Sequence, residues 1–211
     1  MQIKAVLWDL DGTILDSEPL FDEVICELND KYCFTILEGE GGGAGACLKT
    51  YWQHLTIYNQ PEITFQEWSH EVCQSVLEKF STQALKENVQ HVIEELHKKD
   101  IMQICVSNSM QYFIETALTK TQLRSFFQGI IGRESVVHGK PAPDLYLKAL
   151  KDYNLETKNC IVVEDSVIGA QAARAAKLKV IAVPTRNDHI ISIHNPDFIA
   201  KDRKEILTYF T

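Results

Sequence analysis

The chain has 211 residues, a formal net charge of −8, 45% hydrophobic and 24% charged residues. That length suits one core domain of roughly 100–150 residues with a smaller inserted domain, and the composition is that of a globular protein able to bury a core. The acidic balance makes nucleic acid and anionic membranes poor partners, no apolar run approaches the ~18 residues of a membrane span, and an anionic small substrate needs a local cation to reverse the field.

Met1-Gln2-Ile3-Lys4 leads straight into an apolar run without the pattern of a signal peptide, so a cytoplasmic protein is expected. Residues 3–8 read as a buried strand. Asp9-Leu10-Asp11-Gly12-Thr13 follows directly. Two carboxylates two residues apart project to one side if the backbone stays extended, and Gly12 permits an abrupt turn.

Residues 16–80 contain helical patterns and no convincing buried strand. Ser17 is placed to cap a helix with Leu20, Val24 and Leu28 on one face. Trp68, Val72, Val76 and Phe80 recur four apart and predict another helix. Between them lies Glu38-Gly39-Glu40-Gly41-Gly42-Gly43-Ala44-Gly45-Ala46. Leu48 precedes Lys49-Thr50 where a P-loop needs glycine, so that motif fails. The segment is either a plain interhelical loop or a mobile loop facing an active site.

Beyond residue 80, apolar runs at 101–106, 129–131, 160–163 and 180–183 predict strands. Val89, Val92, Ile93 and Leu96, then Leu145, Leu147 and Leu150, predict helices between them. The small residues of 166–173 suit a helix lying close against a sheet. Strands alternating with helices predict an α/β fold with a Rossmann-like parallel sheet. The expected division is a core of 1–15 and 81–211 and a helical cap of 16–80. None of the six cysteines forms a C-x-x-C pair, which excludes a zinc site of that spacing. Cys105 and Cys160 lie within apolar runs and are expected to be buried small hydrophobes.

Chemistry concentrates where predicted strands end, the place where open α/β sheets bind ligands. Asp9 and Asp11 follow the first strand. Ser107-Asn108 follows the run 101–106, where a hydroxyl and the N–H groups of the next helix can hold phosphate. Gly139-Lys140-Pro141-Ala142-Pro143-Asp144 fixes a lysine between prolines, with Asp144 placed to cap the next helix. Glu164-Asp165 follows the fourth strand and suits a hard cation.

Asp9-x-Asp11-Gly12-Thr13, Ser107, Lys140 and Glu164-Asp165, in that order, resemble the four motifs of the haloacid-dehalogenase-like superfamily. Ile14-Leu15-Asp16-Ser17-Glu18-Pro19 and the segment 139–144 extend the resemblance to the branch of β-phosphoglucomutase and small sugar-phosphate phosphatases. The resemblance implies a magnesium-dependent phosphatase. Asp9 would attack phosphorus and Asp11 would act as general acid and base. Asp9, Asp11 through its carbonyl, and Asp165 would hold magnesium, with Glu164 as a further or more distant ligand. Ser107 and Asn108 would hold phosphoryl oxygens, and Lys140 would neutralise charge and orient Asp9. Electrostatics supports a cation here: each unpaired like-charge contact at ~4 Å costs roughly 4 kcal/mol at an effective dielectric near 20.

A phosphomutase of that branch carries a histidine where this chain has Pro19-Leu20-Phe21, a dehalogenase lacks the second aspartate, and a phosphonatase needs a Schiff-base lysine from the cap, where Lys31 and Lys49 read better as helix-surface or loop lysines. A catalytically silent phosphate-binding protein is the competing reading from another class. A small phosphorylated metabolite is the expected partner, and a monomer the expected state.

Overall fold

The computed structural model describes residues 3–35, 48–80, 84–183 and 196–210. The short apolar runs become parallel strands because such strands must be buried on both faces. They are β1 (Ala5–Trp8), β2 (Met102–Val106), β3 (Gly129–Ile131), β4 (Cys160–Glu164) and β5 (Lys179–Ala182). A sixth strand, β6 (Phe198–Ile199), extends the sheet beside β5. Two residues carry no periodic signal, so the sequence offers no hint of it. The order is β3-β2-β1-β4-β5-β6, and every pairing is parallel. Ala5 pairs with both Met102 and Cys160, and β1 shares the middle of the sheet with β4.

The chain divides into two compact units, Met1–Asp16 with Ser81–Thr211, and Ser17–Phe80. Asp16 falls in the first, because its N–H donates to the Ala84 carbonyl (2.7 Å) and its carboxylate pairs with Lys86 (2.8 Å). The second is helical and contains α1 (Glu18–Lys31), α2 (Leu48–Tyr58) and α3 (Phe65–Lys79). Ser17 makes no side-chain cap bond to α1, which starts instead with proline in its first turn. Thr64 and Glu67 form a reciprocal capping box on α3. Buried Trp68 stacks on Tyr51 (centroids 5.8 Å apart, 7° between planes) and packs on Trp52. The glycine-rich segment 39–46 lies outside the described residues.

In the first unit, α4 (Val89–Lys98) buries Val89, Val92, Ile93 and Leu96, the face its spacing predicts. It is followed along the chain by α5 (Gln111–Lys120), α6 (Asp144–Asp152) and α7 (Val167–Ala175). On α6 the buried residues are Leu145, Tyr146, Ala149 and Leu150, while Leu147 is exposed. Residues two apart on a helix face different ways, so Leu147 cannot share the face of Leu145. Asp144 is the first helical residue rather than a side-chain cap. Ser166 does cap α7, its Oγ accepting from the Gly169 N–H. Cys105 and Cys160 are buried and free. Among the described residues, no helix is long and apolar enough to cross a membrane.

Candidate active site

Four chain segments meet at the carboxyl end of the sheet, beside central β1. Asp9 continues the line of β1, its N–H donating to Val163 O (3.0 Å). The chain then turns at Gly12, which has φ +85°, and the Gly12 N–H donates to Leu15 O. A Cβ on Gly12 would lie 2.1 Å from Asp165 Oδ2, so only glycine lets the turn rest on that carboxylate. Thr13 Oγ1 donates to Asp165 Oδ1 (3.0 Å), and this bond holds the end of β4 to the turn.

Lys140 is the hub. Its Nζ is 2.6 Å from Asp9 Oδ1 and 2.6 Å from Glu164 Oε1, and lies 5.1 Å from the centre of the Tyr146 ring. All four groups are buried. The main chain of Lys140 is held by the Asn108 side chain, which accepts from the Lys140 N–H (2.8 Å) and donates to its carbonyl (3.1 Å). Asn108, expected to hold phosphoryl oxygens, thus also fixes the main chain of the lysine loop.

Glu164 is committed on both oxygens. Oε1 accepts from Lys140 and Tyr146, and Oε2 from the N–H groups of Asp165 and Ser166 and the Ser166 hydroxyl. α7 passes so close that a Cβ on Gly169 would lie 1.6 Å from Glu164 Oε1. Gly169→Ala should therefore displace Glu164 and loosen Lys140. The overpacking is expected to cost about 1–3 kcal/mol in urea unfolding, and an unchanged midpoint would count against this packing.

Asp11 faces the loop after β2. Its Oδ2 accepts from Ser109 Oγ (2.6 Å) and lies 3.5 Å from Ser107 Oγ. Ser109 escaped the sequence reading because a serine opening a helix passes as a cap. Tyr146 escaped because a tyrosine in an amphipathic helix passes as core. Asp9, Lys140, Glu164 and Asp165 lie together in one cluster.

The electrostatics are those of excess negative charge. Burial, then Glu164, push the Asp9 carboxyl well above the usual carboxylate range, against the pull of Lys140. Burial works against the Lys140 ammonium, but Asp9 and Glu164 outweigh it and hold its pKa up. Oxygens of Asp9, Glu164 and Asp165 lie within 4.8 Å of one another. An all-oxygen donor set with uncompensated charge fits a hard dication such as magnesium. Glu164, already saturated by protein donors, fits better behind the other two than beside an ion.

The family model for haloacid dehalogenase-like hydrolases matches residues 6–183. Hexitol phosphatase B of Escherichia coli (strain K12) is 24% identical over 212 residues, covering 96% of this chain and 91% of that protein. The phosphorylated carbohydrates phosphatase of Thermotoga maritima is 26% identical over 227 residues, covering 97% of this chain and 100% of that protein. The fold resembles CbbY from Rhodobacter sphaeroides in complex with phosphate, with a TM-score of 0.83 at 19% identity over 95% of each chain. It also resembles β-phosphoglucomutase from Clostridium difficile, with a TM-score of 0.80 at 17% identity over 99% of this chain and 97% of that one. The acid cluster at the strand ends, the parallel sheet and these matches along nearly the whole length lead to one conclusion: the chain belongs to the haloacid dehalogenase-like hydrolases, as a phosphoric monoester hydrolase.

Proposed function

We propose that this chain is a magnesium-dependent phosphatase of small phosphorylated metabolites, sugar phosphates foremost, working through an aspartyl-phosphate on Asp9. The observation that carries the reading is the buried Lys140 bridging Asp9 and Glu164 at 2.6 Å each, within a set of three carboxylates. The relatives named for hexitols and phosphorylated carbohydrates support the substrate class.

Lys140 restrains Asp9 Oδ1 and so orients the carboxylate for in-line attack. An Asp9 oxygen forms a bond to phosphorus as the ester P–O bond breaks, and the departing oxygen takes a proton from Asp11. Asp11 then takes a proton from water as that water attacks phosphorus, which releases phosphate and restores the Asp9 carboxylate. Ser107 offers a hydroxyl to the phosphoryl oxygens, and Asn108 holds the Lys140 loop. Magnesium would be held by Asp9, Asp165 and the Asp11 carbonyl, with Glu164 behind them, and when bound it supplies positive charge against the phosphoryl oxygens. The helical unit 17–80 acts as a cap that selects the leaving group. The protein works as a cytoplasmic monomer.

Hydrolysis of a panel of phosphorylated metabolites, with magnesium and with chelator, tests the reading. Chelation should lower turnover at least ~100-fold, reversibly, as befits several kcal/mol of charge stabilisation. Turnover that survives complete metal removal would sink it.

A further inference from the structure

One buried cation approaches the site from a segment remote in sequence. The 3-10 helix Arg203–Phe210 packs against α4. Its first residue, Arg203, is buried. Arg203 Nε donates to Thr13 O and Nη2 to Gly12 O, both at 2.8 Å. The base of the segment is anchored separately, since Asp202 accepts from Asn88 Nδ2 and from the Lys204 N–H. Burial works against the guanidinium charge, while Asp165, Asp202 and Asp16 support it.

These two carbonyls belong to the turn on which the chemistry depends. Gly12 is held at positive φ, a conformation with little intrinsic restraint. The residue before it is Asp11, and the residue after it, Thr13, holds Asp165. A planar guanidinium fork can pin two successive carbonyls at once, which an ammonium cannot do with the same rigidity.

Resting on the phosphatase reading, we infer that Arg203 is a positioning residue for hydrolysis: its two-point grip on Gly12 and Thr13 fixes the turn that presents Asp11 and, through Thr13, aims Asp165. Both of these bonds go to main-chain carbonyls rather than to a reacting group. Arg203 acts through the geometry of the general acid and of one metal-binding carboxylate, where small displacements lower rates steeply.

Arg203→Lys separates geometry from charge, because it keeps the cation and removes the fork. Ile206→Ala is the control, since it loosens the same segment from a buried apolar position without touching the guanidinium. Each variant is assayed with p-nitrophenyl phosphate and magnesium at a temperature where circular dichroism shows it folded. Binding of Mn²⁺ to the resting protein is measured by electron paramagnetic resonance.

Arg203→Lys should lower kcat about 10–100-fold, with a smaller change in KM, and weaken Mn²⁺ binding by about tenfold, the range for groups that orient metal ligands. Ile206→Ala should lower Tm yet keep kcat within about twofold, as a change remote from the reacting groups does. A folded Arg203→Lys with the parent's kcat overturns the inference, and so does an Ile206→Ala that loses as much turnover. If Arg203→Lys does not fold, Arg203→Gln is read in the same way, and failure of both to fold makes Arg203 a folding residue and ends the proposal. If the parent itself does not hydrolyse, the phosphatase reading fails. The Mn²⁺ measurement then decides on Arg203 alone, unchanged affinity counting against it, and a parent that binds no Mn²⁺ sinks both.

Discussion

Asp9→Asn is expected to abolish hydrolysis and yet to raise the melting temperature of the metal-free protein. Without the attacking oxygen no phosphoenzyme forms, and loss of a nucleophile lowers turnover by about 10⁴-fold or more. The gain in stability follows from the crowding of Asp9. Its folded pKa is pushed up by burial first and by Glu164 next. An acid whose pKa is higher folded than unfolded binds its proton more tightly in the native state. Its contribution is therefore most favourable below the unfolded value of about 4 and is lost as pH climbs towards the raised folded value. Above the unfolded value the crowded carboxyl is a burden that asparagine, nearly isosteric and neutral, removes. Each kcal/mol so relieved raises Tm by about 2–4 °C in a chain of this size. Magnesium should reverse the ranking, because a ligand that binds only the native state stabilises it by mass action, and the parent offers the better site. Thermal melts of both proteins in chelator and in magnesium test this. An Asp9→Asn protein that melts no higher than the parent in chelator contradicts the charge argument, whereas one that still hydrolyses contradicts the mechanism.

Lys140→Met should act in the opposite sense on stability and in the same sense on activity. The methionine keeps most of the buried stem but leaves Asp9 and Glu164 without the cation that each meets at 2.6 Å. Breaking a buried pair by removing one partner costs about 3–5 kcal/mol. Because the lysine side chain is only 2% exposed, added salt should restore little of that loss. Turnover should fall about 10³-fold, since the nucleophile loses its restraint and the phosphoryl group a neutralising charge. Urea unfolding with and without 1 M salt, together with turnover at a temperature where the variant is folded, measures both. A variant as stable as the parent would mean that Lys140 does not hold the cluster together.

The parts of this protein legible in its sequence are those in which chemistry and periodicity are local. Asp9, Asp11, Glu164 and Asp165 stand directly after apolar runs, so their place at strand ends could be read without coordinates. The parallel strands followed from the same runs. What escaped is held by contacts between distant residues that leave no periodic trace. Arg203 lies 190 residues from the carbonyl of Thr13, in a polar stretch that looks like ordinary surface. The Asn108 amide meets main-chain atoms 32 residues away, which no residue pattern announces. Leu147 has the apolar character of a core residue at a spacing that turns it away from the face of Leu145. Ser17 misled because a serine before a helix passes as a cap whether or not its hydroxyl reaches the first turn.

The strand order has a consequence for how the chain is made. Ala5 finds its second neighbour only when Cys160 is available, so β1, one of the two middle strands, waits with one hydrogen-bonding edge unoccupied until β4 has been made. Until then Ala-Val-Leu-Trp is an apolar strand with an open edge, of the kind that nascent-chain chaperones shield. Fragments ending short of β4 should be captured by such chaperones or precipitate, and release should coincide with emergence of the strand that carries Glu164.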